Sequence, residues 1–183
     1  MPKREALTVY LRALEESDIE RTYCWHNDAR LYDTLGDSFR PVSRASEAEW
    51  LRRKASYSTT EINLAICLSP TGEHVGNIYL RGIDWVARRS ALHIFIGCSE
   101  HRSKGYGQAA VCQLLHRAFL DLNLNRIYLE VLADNIAAVK AYEKCGFELE
   151  GRLKNHSFKL GRYKDVLVMG ISSDKFKQLE GKK

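Results

Sequence analysis

The sequence predicts a mixed α/β fold, in which one mostly antiparallel β-sheet carries helices on both faces. Three consecutive strand patterns joined by short turns occupy the middle of the chain, and such hairpins pair antiparallel. The second half then alternates strand, helix, strand, helix and strand, which is the order that produces a parallel pair at the centre of a sheet. No repeat, low-complexity tract or proline-rich linker divides the 183 residues, so a single domain over 1–183 is expected.

The N-terminal half begins with a strand and two helices. Alternating apolar and polar residues predict the first strand over 7–11, and Ser17 and Asp18 open a helical pattern. Residues 46–51 have the character of a capping box and predict the start of a second helix. Three strands are predicted next, with a Ser-Pro-Thr-Gly turn between the first two, over residues 62–68, 74–83 and 91–98.

In the C-terminal half, segments with helical spacing alternate with segments that have a strand pattern. Its second helix is short and rich in alanine, and Gly146 stands just past its end, where a left-handed residue stops a helix. In chain order the predicted segments are a helix over 105–122, a strand over 126–132, a helix over 135–145, and strands over 147–154 and 166–171.

Composition narrows the classes of function. The formal net charge of +5 raises the question of nucleic acid, but the last 32 residues carry a net +6 and the rest of the chain a net −1. No basic-aromatic motif supports a nucleic-acid-binding module, and no apolar run approaches a membrane span. Five cysteines without a CxxC pair indicate reduced thiols, so we expect a cytoplasmic protein with no metal site.

The sharpest local motif lies between a strand and a helix. Arg102-Ser103-Lys104-Gly105-Tyr106-Gly107 places two glycines and two cations where the N–H groups of a helix start are free. The loop is neither a P-loop, which needs GxxxxGK[ST], nor a dinucleotide fingerprint, which needs GxGxxG. By itself it is an anion-binding loop or an ordinary turn.

A second motif lies 28 residues after Gly107. Residues 135–147 read N-x-x-A-x-x-x-Y-E-x-x-G-F, and the loop reads R-x-x-G-x-G. With both motifs at this spacing, the chain resembles the GNAT N-acetyltransferase superfamily. Residues 150–152 and 161–165 are similar to the branch that includes ribosomal-protein and spermidine N-acetyltransferases.

The resemblance implies a GNAT-type sheet whose central parallel strands splay apart, and transfer of an acetyl group from acetyl-CoA, as co-substrate, to a primary amine. It implies no metal. Asn135 is equally well suited to cap the helix that it begins. The residues that the resemblance assigns to acetyl-CoA are Ile96, Gly97, Cys98, Arg102, Ser103, Lys104, Gly105, Tyr106, Gly107, Asn135, Ala138 and Tyr142.

The reaction needs a base and an acid. An alkylamine with a pKa of about 10 must lose a proton before it attacks, and the departing thiolate benefits from a proton donor. By resemblance Tyr142 is the candidate general acid, and the alternative is a tyrosine that only packs on the sheet. Glu130, a lone carboxylate in an apolar strand, is the candidate general base, and the alternative is a strand-end ion pair.

The amine itself is left open among a polyamine, a protein N-terminus and an amino sugar. Residues 13–39 carry a net charge of −5 and could steer a cationic amine, with Asp33 and Asp37 as the candidate substrate-binding residues. The chain departs from the family pattern at two places. Ser103 stands where the family often has glycine, and a serine fits there if its φ is negative. Residues 154–156 lack an acidic residue that is common in relatives. A non-catalytic acetyl-CoA-binding regulator is the alternative function, and a homo-oligomer is left open.

Overall fold

The computed structural model describes residues 9–181, and within that range one sheet contains seven strands in the spatial order β1-β2-β3-β4-β5-β7-β6. Every neighbouring pair is antiparallel except β4 and β5, which run parallel. The prediction of a mixed, mostly antiparallel sheet with one central parallel pair is confirmed. The strands are β1 (Val9–Ala13), β2 (Glu61–Leu68), β3 (His74–Asp84), β4 (Arg89–Ile96), β5 (Arg126–Leu132), β6 (Glu148–Lys159) and β7 (Arg162–Ser172).

Helices cover both faces of the sheet, each over its own apolar cluster. On one face the side chains of Ile78, Ile127 and Leu129 pack with those of α4, α5 and α6. On the other face Ala65 and Tyr79 pack with α1 and α3. The helices are α1 (Ile19–His26), α2 (Ala29–Tyr32), α3 (Arg44–Ala55), α4 (Tyr106–His116), α5 (Ile136–Lys144) and α6 (Ser173–Glu180).

Several element boundaries differ from the sequence prediction. The helix that was predicted to start at Ser46 is α3, and it starts two residues earlier, at Arg44. Its N-cap is Ser43, whose hydroxyl accepts a hydrogen bond from the N–H of Ser46. The last hairpin is longer than predicted, because β6 and β7 pair as far as Lys159 and Arg162 around a tight turn. The short helices α2 and α6 were not predicted. The predicted first strand begins outside the described residues.

No helix within residues 9–181 is both long enough and apolar enough to cross a membrane. The same residues contain no group of three or more His, Cys, Asp or Glu side chains that could together hold a metal ion.

Candidate active site

The candidate site lies at the split between the two parallel strands. Pairing of β4 with β5 ends where Ala91 meets Tyr128, although both strands continue for several residues. Beyond this point each strand has a free edge toward the gap. An extended ligand can hydrogen-bond such an edge as an added strand would. The splayed pair that the family resemblance implies is therefore present.

The split has two chemically different faces because side chains alternate along each strand. Leu92, Ile94 and Ile96 of β4 point to the face covered by α4, where they join the main core. His93 and Phe95 point to the opposite face, which α1 and α3 cover, and Phe95 packs beside Tyr79 there. We call this second side the acceptor face.

The glycine loop leads from the split into α4. No described residue accepts a hydrogen bond from the backbone N–H groups of residues 103–108. Gly105, with φ of +84°, is the N-cap of α4 and has no side-chain cap. A row of free N–H groups at the positive end of a helix dipole fits a phosphate, so the loop suits the pyrophosphate of a coenzyme.

Ser103 departs from the expectation stated for it. Its φ is +59°, so the serine adopts the left-handed conformation, and the requirement of a negative φ is not met. This conformation is the one that glycine adopts without steric cost. The residue therefore stores backbone strain next to Gly105.

Arg102 and Gly97 hold the end of β4 in place. The Arg102 guanidinium donates to the carbonyl oxygens of Ile96, at 3.1 Å, and Gly97, at 2.7 Å. Gly97 lies flat against Trp25, and a Cβ at this position would stand 2.1 Å from the indole ring. The Trp25 N–H also donates to the Cys98 sulfur at 3.4 Å. These residues form the joint between the split and α1.

Asn135 has two roles at the start of α5. Its Oδ1 accepts from the N–H of Ala138 at 3.2 Å, so it is the helix cap that the residue type favours. Its Nδ2 donates to the Thr34 carbonyl at 3.1 Å. Asn135 thus ties α5 to the loop after α2, and Ala138 packs against the core behind it.

Tyr142 lies on α5 and packs edge-on against Phe147, with ring centroids 5.9 Å apart. No described residue forms a hydrogen bond with its hydroxyl. Burial, and next the proximity of Cys145, raise the pKa of Tyr142 to about 12. The hydroxyl therefore keeps its proton throughout the physiological range, as a proton donor must.

Glu130 lies on β5, on the acceptor face, and is about half exposed. Its nearest ionisable neighbour is His156, whose Nε2 stands 4.0 Å from a carboxylate oxygen. His156 reaches this position because an irregularity in the pairing of β6 with β7 lies between Leu153 and Ser157. Residues 154–156, where an acidic residue was expected, form this bulge.

A pocket on the acceptor face contains a buried glutamate that is hydrogen-bonded to a histidine. The Nδ1 of His26 lies 2.7 Å from Oε2 of Glu47, and the glutamate is only 1% exposed. No described residue donates to the other oxygen, Oε1. The Glu47 pocket, as we call it, is lined by His26, Tyr32, Val42, Ser46, Glu47, Trp50 and Arg53.

The loop after α2, residues 33–39, docks on the far end of β6. The buried ammonium of Lys159 donates to the carbonyl of Tyr32 at 3.0 Å and to the carbonyl of Asp37. Ser157 donates to the Gly36 carbonyl at 3.3 Å. With the hydrogen bond from Asn135 to Thr34, three distant residues hold this loop in place. The predicted substrate-binding residues Asp33 and Asp37 lie on it, and both are exposed.

The negative charge of residues 13–39 is largely paired. Arg12 holds the Asp18 carboxylate at 2.6 Å, Arg44 holds Glu20 at 2.6 Å, and Arg52 stands 3.6 Å from Glu16. Asp28 is used as the N-cap of α2. Asp33 and Asp37 remain as the acids of this segment that face the end of β6.

Three features of the acceptor face were missed by reasoning from the sequence: the His26–Glu47 pair, the buried Lys159 and the position of His93. Each depends on contacts between distant parts of the chain, so no local motif marks them. For Glu47 a weak signal existed, because a charged residue stands on the apolar side of a short helix.

Comparison with known proteins agrees with this geometry. The family described as "Acetyltransferase (GNAT) domain" matches residues 8–148. The spermidine N(1)-acetyltransferase of Vibrio cholerae is 31% identical over 91% of this chain and 94% of its own length. An L-amino acid N-acetyltransferase of Escherichia coli is 29% identical over 88% of this chain and 96% of its own length.

A solved structure is similar over nearly the whole chain. The spermidine N-acetyltransferase from Vibrio cholerae, in complex with CoA and spermine, superimposes with a TM-score of 0.84 at 30% identity, covering 94% of this chain and 99% of the other. The splayed strands, the open glycine loop and these matches lead to one conclusion. The chain belongs to the GNAT acetyltransferase family and is an acetyl-CoA-dependent N-acetyltransferase.

Proposed function

We propose that this enzyme acetylates a primary amine of a small polyamine, which it binds as a cation on the acceptor face. The observation that carries the proposal is the Glu47 carboxylate, buried at the wall of a pocket, with one oxygen that accepts no hydrogen bond from a described residue. A buried carboxylate oxygen without a donor is costly. An alkylammonium group supplies both the missing hydrogen bond and the opposite charge.

The pocket is also chemically suited to an alkyl chain. Trp50 and Tyr32 line it, and the His26 ring stacks edge-on against Trp50 at 4.5 Å. The His26 ring lies 6.3 Å from that of Phe95, so the pocket adjoins β4. Polyamine acetylation is also the activity of the relatives with 30–31% identity. Aromatic walls with one deep carboxylate select a ligand that is apolar along its length and cationic at its nitrogens.

The residues present fit acetyl-CoA, which supplies the acetyl group as a thioester when it is bound. The free N–H groups of residues 103–108 would hold the pyrophosphate, with Lys104 adding charge. The free edge of β4 beyond Ala91, up to Ile96 and Gly97, would pair with the pantetheine arm. Arg102 would act by shaping this edge, since its guanidinium is engaged by the carbonyls of Ile96 and Gly97.

Tyr142 supplies the proton that the leaving thiolate needs. Its hydroxyl is protonated at neutral pH because burial raises its pKa to about 12. A thiol has an ordinary pKa of roughly 8.5, which is below that of Tyr142. The tyrosinate left after the transfer therefore recovers a proton from solvent. Asn135 and Ala138 position the first turn of the helix that carries Tyr142.

The test is a thiol-release assay with acetyl-CoA and a panel of amines: spermidine, spermine, putrescine, several L-amino acids, an amino sugar and a peptide with a free N-terminus. We expect kcat/KM to be highest for a polyamine. Glu47→Gln should raise KM for that polyamine about tenfold or more, which corresponds to losing one charged hydrogen bond. Glu49→Gln, two residues further along the same helix and exposed, is the matched control.

Two results would contradict the proposal in different ways. Faster turnover of an amino acid, an amino sugar or a peptide would replace the polyamine as acceptor while leaving the reaction intact. Binding of acetyl-CoA without turnover of any amine would instead favour a regulator that keeps the fold.

A further inference from the structure

We propose that His93 is the general base of this enzyme, accepting the proton of the acceptor amine at the mouth of the split. The inference concerns the acetyl transfer itself and holds for whichever amine is the acceptor. It rests on the register of the split strands, on the contacts of the His93 ring and on the charges around it.

The register places His93 and Glu130 on opposite sides of the gap, one on β4 and the other on β5. The last paired residues are Ala91 on β4 and Tyr128 on β5. Two residues further along each strand, on the same face, stand His93 and Glu130. These are the first side chains beyond the pairing that point to the acceptor face. An amine that approaches a ligand in the gap from this face must pass between them.

The two side chains differ in their surroundings. Glu130 lies near His156 at the outer end of the sheet and is about half exposed. His93 is also exposed, but it lies on β4 opposite Tyr79 of β3, away from His156. No hydrogen bond or ion pair joins its ring to another described residue. An imidazole whose nitrogen atoms are not used by the protein can accept a proton from a ligand.

The charges around His93 favour its neutral form. Its surroundings lower the pKa of His93, first by partial removal of the ring from water and then through the positive charge of Arg81. Lys54 on α3 acts in the same direction, while Asp37 in the loop after α2 and Glu61 on β2 oppose it. At neutral pH the imidazole is therefore uncharged and ready to act as a base.

The proton balance is simple. The ammonium form of the acceptor gives one proton to a ring nitrogen of His93, and the freed lone pair forms the new C–N bond at the thioester carbon. The C–S bond breaks, and the thiolate takes the Tyr142 proton. The second proton on the nitrogen, lost as the amide forms, restores Tyr142 through solvent, and His93 releases its own proton to solvent. One ammonium and one thioester yield one amide, one thiol and one proton.

The first experiment compares pH–rate profiles. With the best amine of the panel, we expect the wild-type kcat to fall at acidic pH, with a midpoint below the ordinary histidine value of about 6.5. His93→Gln should lower kcat at neutral pH by about 100-fold and remove this acidic limb. His116→Gln, which removes an exposed histidine on α4, should change neither, and acetyl-CoA affinity and thermal unfolding show that both variants are intact.

A third variant, Glu130→Gln, distinguishes between His93 and Glu130 as the general base. If this variant loses the acidic limb while His93→Gln keeps it, Glu130 is the base and the proposal is overturned. If His93→Gln loses the limb and imidazole in the buffer restores part of the rate, the proposal is supported.

The second experiment shifts the pKa of the base without touching it. Arg81 packs over the Tyr79 ring at 4.9 Å, and its charge lowers the His93 pKa. Replacing it with methionine should therefore move the acidic limb of kcat to higher pH. Arg89→Met, on the exposed end of β4, is the matched control. An acidic limb that stays in place when Arg81 is replaced contradicts the assignment.

Discussion

The cofactor half and the acceptor half of this enzyme are built in different ways. The cofactor half, residues 92–145, offers backbone groups to the proposed acetyl-CoA site: the free edge of β4 and the open N–H groups before α4. The acceptor half, formed by α1–α3, residues 33–39 and the β6–β7 hairpin, presents side chains that meet from distant positions. Lys159 and Asp37, which are joined by a hydrogen bond, stand 122 residues apart.

This difference has a physical origin. A pyrophosphate and an extended pantetheine arm need only N–H groups, carbonyls and close approach, which a short glycine-containing loop provides locally. An amine must be selected by charge and shape, and selection depends on a few side chains placed by the whole fold. Binding of acetyl-CoA is therefore expected to be lost when backbone geometry is disturbed. Binding of the amine is expected to be lost when single side-chain contacts are removed.

The largest effect is expected at the joint between the halves. Gly97→Ala would place a Cβ 2.1 Å from the Trp25 ring, so either α1 or the end of β4 must move. We expect a loss of about 3 kcal/mol in the free energy of unfolding, measured by urea denaturation, since overpacking a buried site costs this much. Gly151→Ala, where a Cβ meets nothing within 4 Å, is the control. Equal losses in the two variants would show that the contact with Trp25 is unimportant.

A smaller effect, confined to catalysis, is expected from Tyr142→Phe. This change removes a hydroxyl that has no hydrogen bond to a described residue and leaves the ring packed on Phe147. We expect kcat to fall about 100-fold, while KM for the amine, acetyl-CoA affinity and stability are retained. Tyr57→Phe, which removes an exposed hydroxyl outside the site, is the control. Unchanged kcat in Tyr142→Phe would mean that the thiolate leaves without this acid.

Lys159→Met tests the acceptor half alone. The buried ammonium holds the carbonyls of Tyr32 and Asp37, so its loss frees the loop at residues 33–39. KM for the amine should rise about tenfold and stability should fall by about 1–2 kcal/mol, as expected for lost buried hydrogen bonds. Acetyl-CoA affinity should not change. The exposed Lys154→Met is the control, and a rise in KM that is equal in both would contradict a specific role for the loop contact.

The same contrast explains what could be predicted from the sequence. The glycine loop and residues 135–147 are contiguous motifs, so the family resemblance that they carry implied the mixed sheet, its splayed parallel pair and the positions of Gly105 and Tyr142. Glu47 and Lys159 could not be assigned, because each is buried by residues more than 20 positions away. His93 could not be assigned either, because no local motif marks it and only the strand register places it opposite Glu130.

Even within the cofactor half, backbone conformation was less predictable than backbone position. The motif located Ser103 correctly in the loop, but the requirement of a negative φ was not met, because the residue is left-handed. Turning the chain this sharply uses two left-handed residues, Ser103 and Gly105, and only the second is a glycine. Side-chain identity alone does not reveal such strain.

The smallest effect is expected from relieving that strain. Ser103→Gly should raise the free energy of unfolding by about 1 kcal/mol, because a left-handed conformation costs an L-residue about this much and glycine very little. Gly105→Ala, at φ of +84° with open space around the Cβ position, should shift stability by a similar amount in the opposite direction. Urea denaturation measures both. Because neither substitution is expected to move the N–H groups of the loop, acetyl-CoA affinity should change little in either variant. A Ser103→Gly variant that is less stable than the wild type would mean that the serine side chain makes a compensating contact, and that this loop, too, depends on a side chain.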